Sequence, residues 1–95
     1  MGLILTHHLN EGVTVNDTVE IKVIEILGTT FNRSVRLKVR GFPGVDEIYL
    51  SGFSRKEQVM EGFVINLSRP FKTIGRGVRI NYDALPSYNI LRTDY

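Results

Sequence analysis

Ninety-five residues with twelve basic and ten acidic side chains, 42% hydrophobic content and no cysteine describe at most one small domain. That composition excludes disulfide staples and thiolate metal sites, and no apolar run approaches the ~18 residues of a membrane-spanning helix. A monomer of this size buries a modest share of its surface, which makes dimerisation the expected route to stability.

The opening Met1-Gly2-Leu3-Ile4-Leu5-Thr6 lacks the pattern of a signal peptide, so a cytoplasmic protein is expected. The formal charge of +2 is uneven. Residues 1–30 set Lys22 against Glu11, Asp17, Glu20 and Glu25, and residues 31–95 carry a net +5. A basic remainder can favour a polyanionic partner, although the charge alone reads better as ordinary solvated surface.

Alternating apolar and polar residues predict a β-rich chain. Leu3–Thr6 is a short first strand. Asn16-Asp17 signals a turn before Val19-Glu20-Ile21-Lys22-Val23, and Ile24-Glu25-Ile26 continues one residue out of phase. That slip marks a bulge or a strand buried on both faces. Gly28-Thr29-Thr30 is the next turn signal.

Val35-Arg36-Leu37-Lys38-Val39-Arg40 alternates cleanly. Val35, Leu37 and Val39 are expected in a core, with Arg36, Lys38 and Arg40 in a cationic row outside. Gly41-Phe42-Pro43-Gly44 ends that strand. Ser54-Arg55-Lys56-Glu57 has the form of a capping box, and Gly62 suits a helix end. A short helix over 55–61 is therefore expected, with Val59 and Met60 turned inward. Phe63–Leu67 reads as a strand, followed by the Gly75-Arg76-Gly77 turn. Two further strands, Val78–Tyr82 and Tyr88–Arg92, flank a turn at Pro86. The sum is six or seven short strands and one small helix in a single unit with no linker.

Catalytic vocabulary is scarce. Gly75-Arg76-Gly77 lacks the rest of a phosphate loop, Asp46-Glu47 reads as a turn or strand edge, and there is no nucleophile motif. Neither an enzyme nor a cofactor is expected.

The two ends of the chain resemble the carbon storage regulator (CsrA/Rsm) family. Its members open with a Leu-Ile-Leu-Thr-Arg-Arg strand, followed by Gly-Glu and Ile-Gly-Asp turns and a long valine-rich strand. Leu3-Ile4-Leu5-Thr6-His7-His8, Glu11, Val15-Asn16-Asp17 and Val19–Ile26 repeat that order without a gap. The family continues with a Val-Arg-Ile strand, an Asn-Ala-Pro turn and a Val-x-Val-His-Arg-Glu-Glu strand. Val78-Arg79-Ile80, Asp83-Ala84 and Tyr88–Arg92 match these in turn, with Pro86 one place late. The likeness covers residues 3–28 and roughly 73–95, which leaves 29–72 as an insertion between the second and third family strands. A rival alignment places the third strand at Ser34–Val39 and matches Asp46-Glu47-Ile48-Tyr49 to a later family segment, with 50–95 as an appended tail. The insertion alignment is the better one, because in the rival Pro43 and Asp46 are too close to hold the fifth strand and its arginine vanishes.

The resemblance implies a small β-barrel or sandwich formed by an interlocked homodimer. Each site would join the first strand of one subunit to the last strand of the other and bind a GGA element in an RNA hairpin loop, regulating translation or message stability. Arg92 stands where the family has its principal RNA-contacting arginine, whose fork suits guanine or phosphate. Taken without the resemblance, it reads as a solvated terminal residue. Leu5, Thr6, Leu91 and Thr93 are candidate backbone or side-chain contacts. His7 and His8 replace the family's two arginines. As imidazoles they attract phosphate less at neutral pH but can stack or gain charge in mild acid. Adjacent strand positions point to opposite faces, which argues against a shared metal. The plainer description is two polar residues on a partly exposed edge. Arg36, Lys38 and Arg40 are candidates to extend the cationic surface, or else the solvated face of a hairpin. An alternative function follows from His7-His8 and the insertion: a protein-interaction module on the same scaffold, with weakened RNA binding and a protein partner on the insertion.

Overall fold

A computed structural model describes residues 2–29, 31–53, 55–69 and 75–93. Nine strands account for the regular structure among these residues: β1 (Gly2–His7), β2 (Gly12–Val15), β3 (Val19–Thr29), β4 (Asn32–Arg40), β5 (Glu47–Ser51), β6 (Lys56–Met60), β7 (Phe63–Leu67), β8 (Val78–Ala84) and β9 (Ile90–Thr93). They form a five-stranded sheet ordered β5-β4-β3-β2-β9 and a four-stranded sheet ordered β1-β8-β7-β6. Every pairing is antiparallel. No helix of the structure is long and apolar enough to cross a membrane, a statement limited to the described residues.

The period-two pattern explains the layers. Val13, Val15, Ile21, Val23, Val35, Leu37 and Leu50 bury the inner face of the larger sheet. Val59, Phe63, Ile65, Leu67, Ile80 and Tyr82 do the same for the smaller one, and together they make a single core. Burying each such side chain stabilises the fold by about 1.5–3 kcal/mol before entropy is counted. The product is two open sheets sharing a core, without closure into a barrel among the described residues.

Two local readings meet different outcomes. At Ile24 the register slips, with Val23 opposite Leu37 and Glu25 opposite Arg36, so the out-of-phase triplet is a bulge. The helix expected over 55–61 is corrected to a strand. Lys56–Gln58 pair with Asn66–Val64, Met60 pairs with Phe63, and Glu61-Gly62 makes the turn between them. A helix of two turns carries its full nucleation cost with few bonds to offset it. The hairpin instead places Val59 in the core, 3% exposed. Ser54, the expected cap, lies outside the described residues.

The segment expected as an insertion supplies β4 and β5 to one sheet and β6 and β7 to the other. Both sheets are therefore built around it. Between β2 and β3, Asn16 and Asp17 both adopt left-handed backbone (φ 52° and 61°). Tight hairpin turns require that pair of conformations, and asparagine and aspartate tolerate it best among residues with side chains.

Candidate nucleic-acid interface

The chain's first and last strands are both sheet edges, β1 of the smaller sheet and β9 of the larger. β1 pairs only with β8, from Gly2 opposite Asp83 to His7 opposite Val78. β9 pairs with β2, setting Ile90 opposite Val15, Leu91 opposite Thr14 and Arg92 opposite Val13. The Arg92 guanidinium closes the gap between them, with Nη1 donating to the Thr6 carbonyl at 3.0 Å. Two edges of different sheets thus meet at one end of the sandwich, joined by an exposed cation. The meeting of first and last strands that the sequence resemblance assigns to two subunits is made here inside one polypeptide.

The path from β8 to β9 is pinned at several points. The Leu85 amide donates to Gly62 O at 3.0 Å, and the Tyr88 amide closes the Pro86 turn onto Leu85 O at 3.0 Å. The Tyr88 ring packs edge-on against Phe63, centroids 5.4 Å apart. Asn16 then receives the chain on the larger sheet. Its side-chain Oδ1 accepts from the Asn89 amide at 2.7 Å, and its own amide donates to Asn89 O at 2.8 Å. Further along, Thr14 and Thr93 join hydroxyls at 2.8 Å.

Five expected contact residues gather at this end: Leu5 and Thr6 on β1, and Leu91, Arg92 and Thr93 on β9. Leu91 is 51% exposed, and Leu3 and Ile4 are similarly open along β1. His8 follows β1 directly and is exposed. Its amide donates to Glu11 Oε1 at 2.8 Å, and its Nδ1 lies 3.5 Å from the same oxygen. The amide bond is the main reason the Glu11 carboxyl is held below its ordinary range. Desolvation works against this, and the His8 ring charge adds to it.

The remaining expected residues lie elsewhere. His7 is corrected from an edge contact to a core residue. It is completely buried, and a 2.7 Å hydrogen bond joins its Nε2 to the Tyr82 hydroxyl. The alternation that turns His8 outward turns His7 inward. Burial drives the Tyr82 hydroxyl far above its usual range, with the nearby Arg92 charge as the opposing influence, so Tyr82 remains a neutral phenol. It ties β8 to the end of β1 beneath Arg92.

Arg36, Lys38 and Arg40 are exposed as expected, but on the outer face of β4. That strand is three places from β9, roughly 14 Å at the usual strand spacing. Arg36 sits 3.6 Å from both Glu25 and Glu47, while Arg40 lies opposite Glu20 and Lys38 opposite Glu47. The row is a cross-strand charge ladder separate from the β1/β9 edge.

Two features escaped the sequence reading. Tyr82 was legible as inward-facing, since it continues the alternation of Val78 and Ile80, but nothing local announced its histidine partner. Arg33 is also buried and straps the β3–β4 turn to the start of β8 by donating to the carbonyls of Gly28 and Gly75.

Comparison with protein-family models, with curated proteins and with solved structures finds no match to this chain.

Proposed function

We propose that this chain is a sequence-preferring RNA-binding protein that regulates translation or stability of messages by reading GGA-containing hairpin loops along the β1/β9 edge. The observation that carries the reading is the bridge from Arg92 to the Thr6 carbonyl. It sets an exposed guanidinium between two edge strands, and only one of its five donors is used in that bond. Loop RNA offers splayed bases and phosphates within reach of such a fork and of backbone groups at a sheet edge. Leu5, Thr6, His8, Leu91 and Thr93 complete the proposed contact set. The resemblance to the carbon storage regulators supplies the choice of GGA. In that family two subunits share each site. Here the intrachain pairings of β1 with β8 and β2 with β9 support a site that one polypeptide builds.

A gel-shift with a GGA hairpin and a CCA control tests the proposal. Retardation of the GGA hairpin at least tenfold tighter than the control is expected, and equal binding to both, or none, contradicts it.

A second reading is favoured by one observation, the exposure of Leu3, Ile4 and Leu91 on unpaired edges. Such edges accept an added strand from another protein. Recovery of a protein partner that survives ribonuclease, with no RNA retained, supports this second reading over the first.

A further inference from the structure

We infer that the polypeptide is an internal duplication that exchanges end strands between its own two halves, leaving a single arginine-bearing edge per chain. Val35-Arg36-Leu37 and Val78-Arg79-Ile80 lie 43 positions apart, and the same offset sets Val39 on Tyr82, Phe42 on Leu85 and Pro43 on Pro86 without a gap. The structural roles follow the sequence. Val35, Leu37 and Val39 are buried in β4, and Val78, Ile80 and Tyr82 are buried in β8. Their cross-strand partners correspond as well: Ile21 faces Val39 and Val23 faces Leu37, while Ile65 faces Tyr82 and Leu67 faces Ile80.

The molecule is therefore two antiparallel meanders, β2-β3-β4 and β6-β7-β8. β1 immediately precedes the first meander but extends the second, by pairing with β8. β9 immediately follows the second meander but extends the first, by pairing with β2. This reciprocal exchange is the geometry of two interlocked subunits, completed within one chain.

The duplication is imperfect, and the imperfection decides where a ligand can bind. The offset of 43 lays both β1 and the β9 segment on β5. β5 takes the part of β1, folding back on β4 in the register in which β1 meets β8, so that β6 is left without a counterpart of β9 among the described residues. Gly41 and Gly44, at φ 87° and 86°, allow that return. A Cβ at Gly41 would also lie 2.1 Å from the Thr18 carbonyl oxygen. The corresponding residues of the second half are Ala84 and Ser87, which strongly disfavour left-handed backbone. The second hairpin cannot close the same way, and β9 crosses to the other sheet.

At the opposite end of the sandwich, the edges β5 and β6 line a shared groove that contains Asp46, Glu47 and Glu57. Arg55 in that groove is paired with Glu57 at 3.0 Å. Tyr49 stands where the repeat has Arg92. That end sets three carboxylates in its groove and offers, among the described residues, no counterpart of the Arg92 bridge, so the β1/β9 edge is the nucleic-acid edge and there is one per chain. This last step rests on the RNA-binding reading above. The duplication itself does not.

Because the chain has no cysteine, one engineered pair tests the exchange. Thr14→Cys with Thr93→Cys joins β2 to β9 where the two hydroxyls touch. After oxidation, a non-reducing gel is expected to show a compact monomer. A covalent dimer would mean that β9 is donated by another subunit and would overturn the inference. Should the pair stay reduced, the sedimenting mass of the wild-type chain decides. A folded 10.8 kDa species upholds intrachain exchange, and an obligate dimer of twice that mass overturns it. For the single edge, titration with a GGA hairpin is expected to saturate at one RNA per chain. Binding should be weakened about tenfold or more in Arg92→Ala and kept in Tyr49→Ala. Two RNAs per chain would overturn the single edge, and no binding at all would remove the RNA reading while the gel still reports on the exchange.

Discussion

The two ends of the sandwich are built from equivalent material and differ in chemistry. At one end β1 and β9 come from opposite extremes of the sequence and are bridged by the exposed Arg92, which donates to the Thr6 carbonyl. At the other, β5 and β6 are near neighbours in sequence and enclose Asp46, Glu47 and Glu57. The difference traces to the connection after each repeated strand: two glycines in left-handed backbone send β5 back onto β4, while Ala84 and Ser87 send β9 across to β2. A change in turn chemistry thus decides both which sheet the final strand joins and which end of the molecule carries an arginine.

The largest expected effect breaks the crossing itself. Phe63 is fully buried and holds Tyr82 and Tyr88 edge-on. Phe63→Ala should cost about 3–5 kcal/mol, measured by urea denaturation, and should loosen the β8–β9 connection before the β4–β5 hairpin in hydrogen exchange. Next in size, Arg92→Ala should weaken binding to a GGA hairpin by about 1–3 kcal/mol, read by gel-shift. Arg36→Gln should change affinity little, because that cation lies between Glu25 and Glu47 on the outer face. A smaller effect is expected from Asn16→Gly, which keeps the left-handed turn and deletes only the side-chain acceptor of the Asn89 amide. The loss should be about 0.5–1.5 kcal/mol in thermal or urea melts.

The smallest effect sharpens the His8 corner of the edge. Glu11 has a folded-state pKa below its ordinary value of 4.5. Its contribution to stability is present above that value and is lost as pH falls through the lower folded-state value. The stability difference between wild type and Glu11→Gln should therefore be present at about pH 5 and above and vanish in stronger acid. A difference that persists undiminished in strong acid would contradict the His8–Glu11 contact.

Much of this architecture was legible from side-chain alternation. The inward set Val35, Leu37 and Val39 and the turn at Asn16-Asp17 follow from local chemistry, while the phase slip at Ile24 was visible but needed the pairing of β3 with β4 to become a bulge rather than a strand buried on both faces. The segment 55–61 was not, because a capping pattern is a local signal and the pairing of β6 with β7 is a tertiary one that supersedes it. His7 and His8 read alike in sequence; alternation turns one inward and the other outward, and Tyr82 on the neighbouring strand gives His7 its buried partner. The meeting of Arg92 with Thr6 depends on contacts between residues 86 positions apart, beyond any local pattern. The repeat that explains it is visible in the residues once the shared registers of β4 and β8 direct attention to it.

The comparison of the two ends reduces to one measurement. Backbone amide shifts of the isotopically labelled chain, followed during titration with a GGA hairpin, report both edges at once. Perturbations are expected to concentrate at Leu5, Thr6, Leu91, Arg92 and Thr93, with Tyr49, Glu57 and Gln58 unmoved. Shifts centred on β5 and β6, or spread evenly over the outer face of β4, would contradict the β1/β9 site.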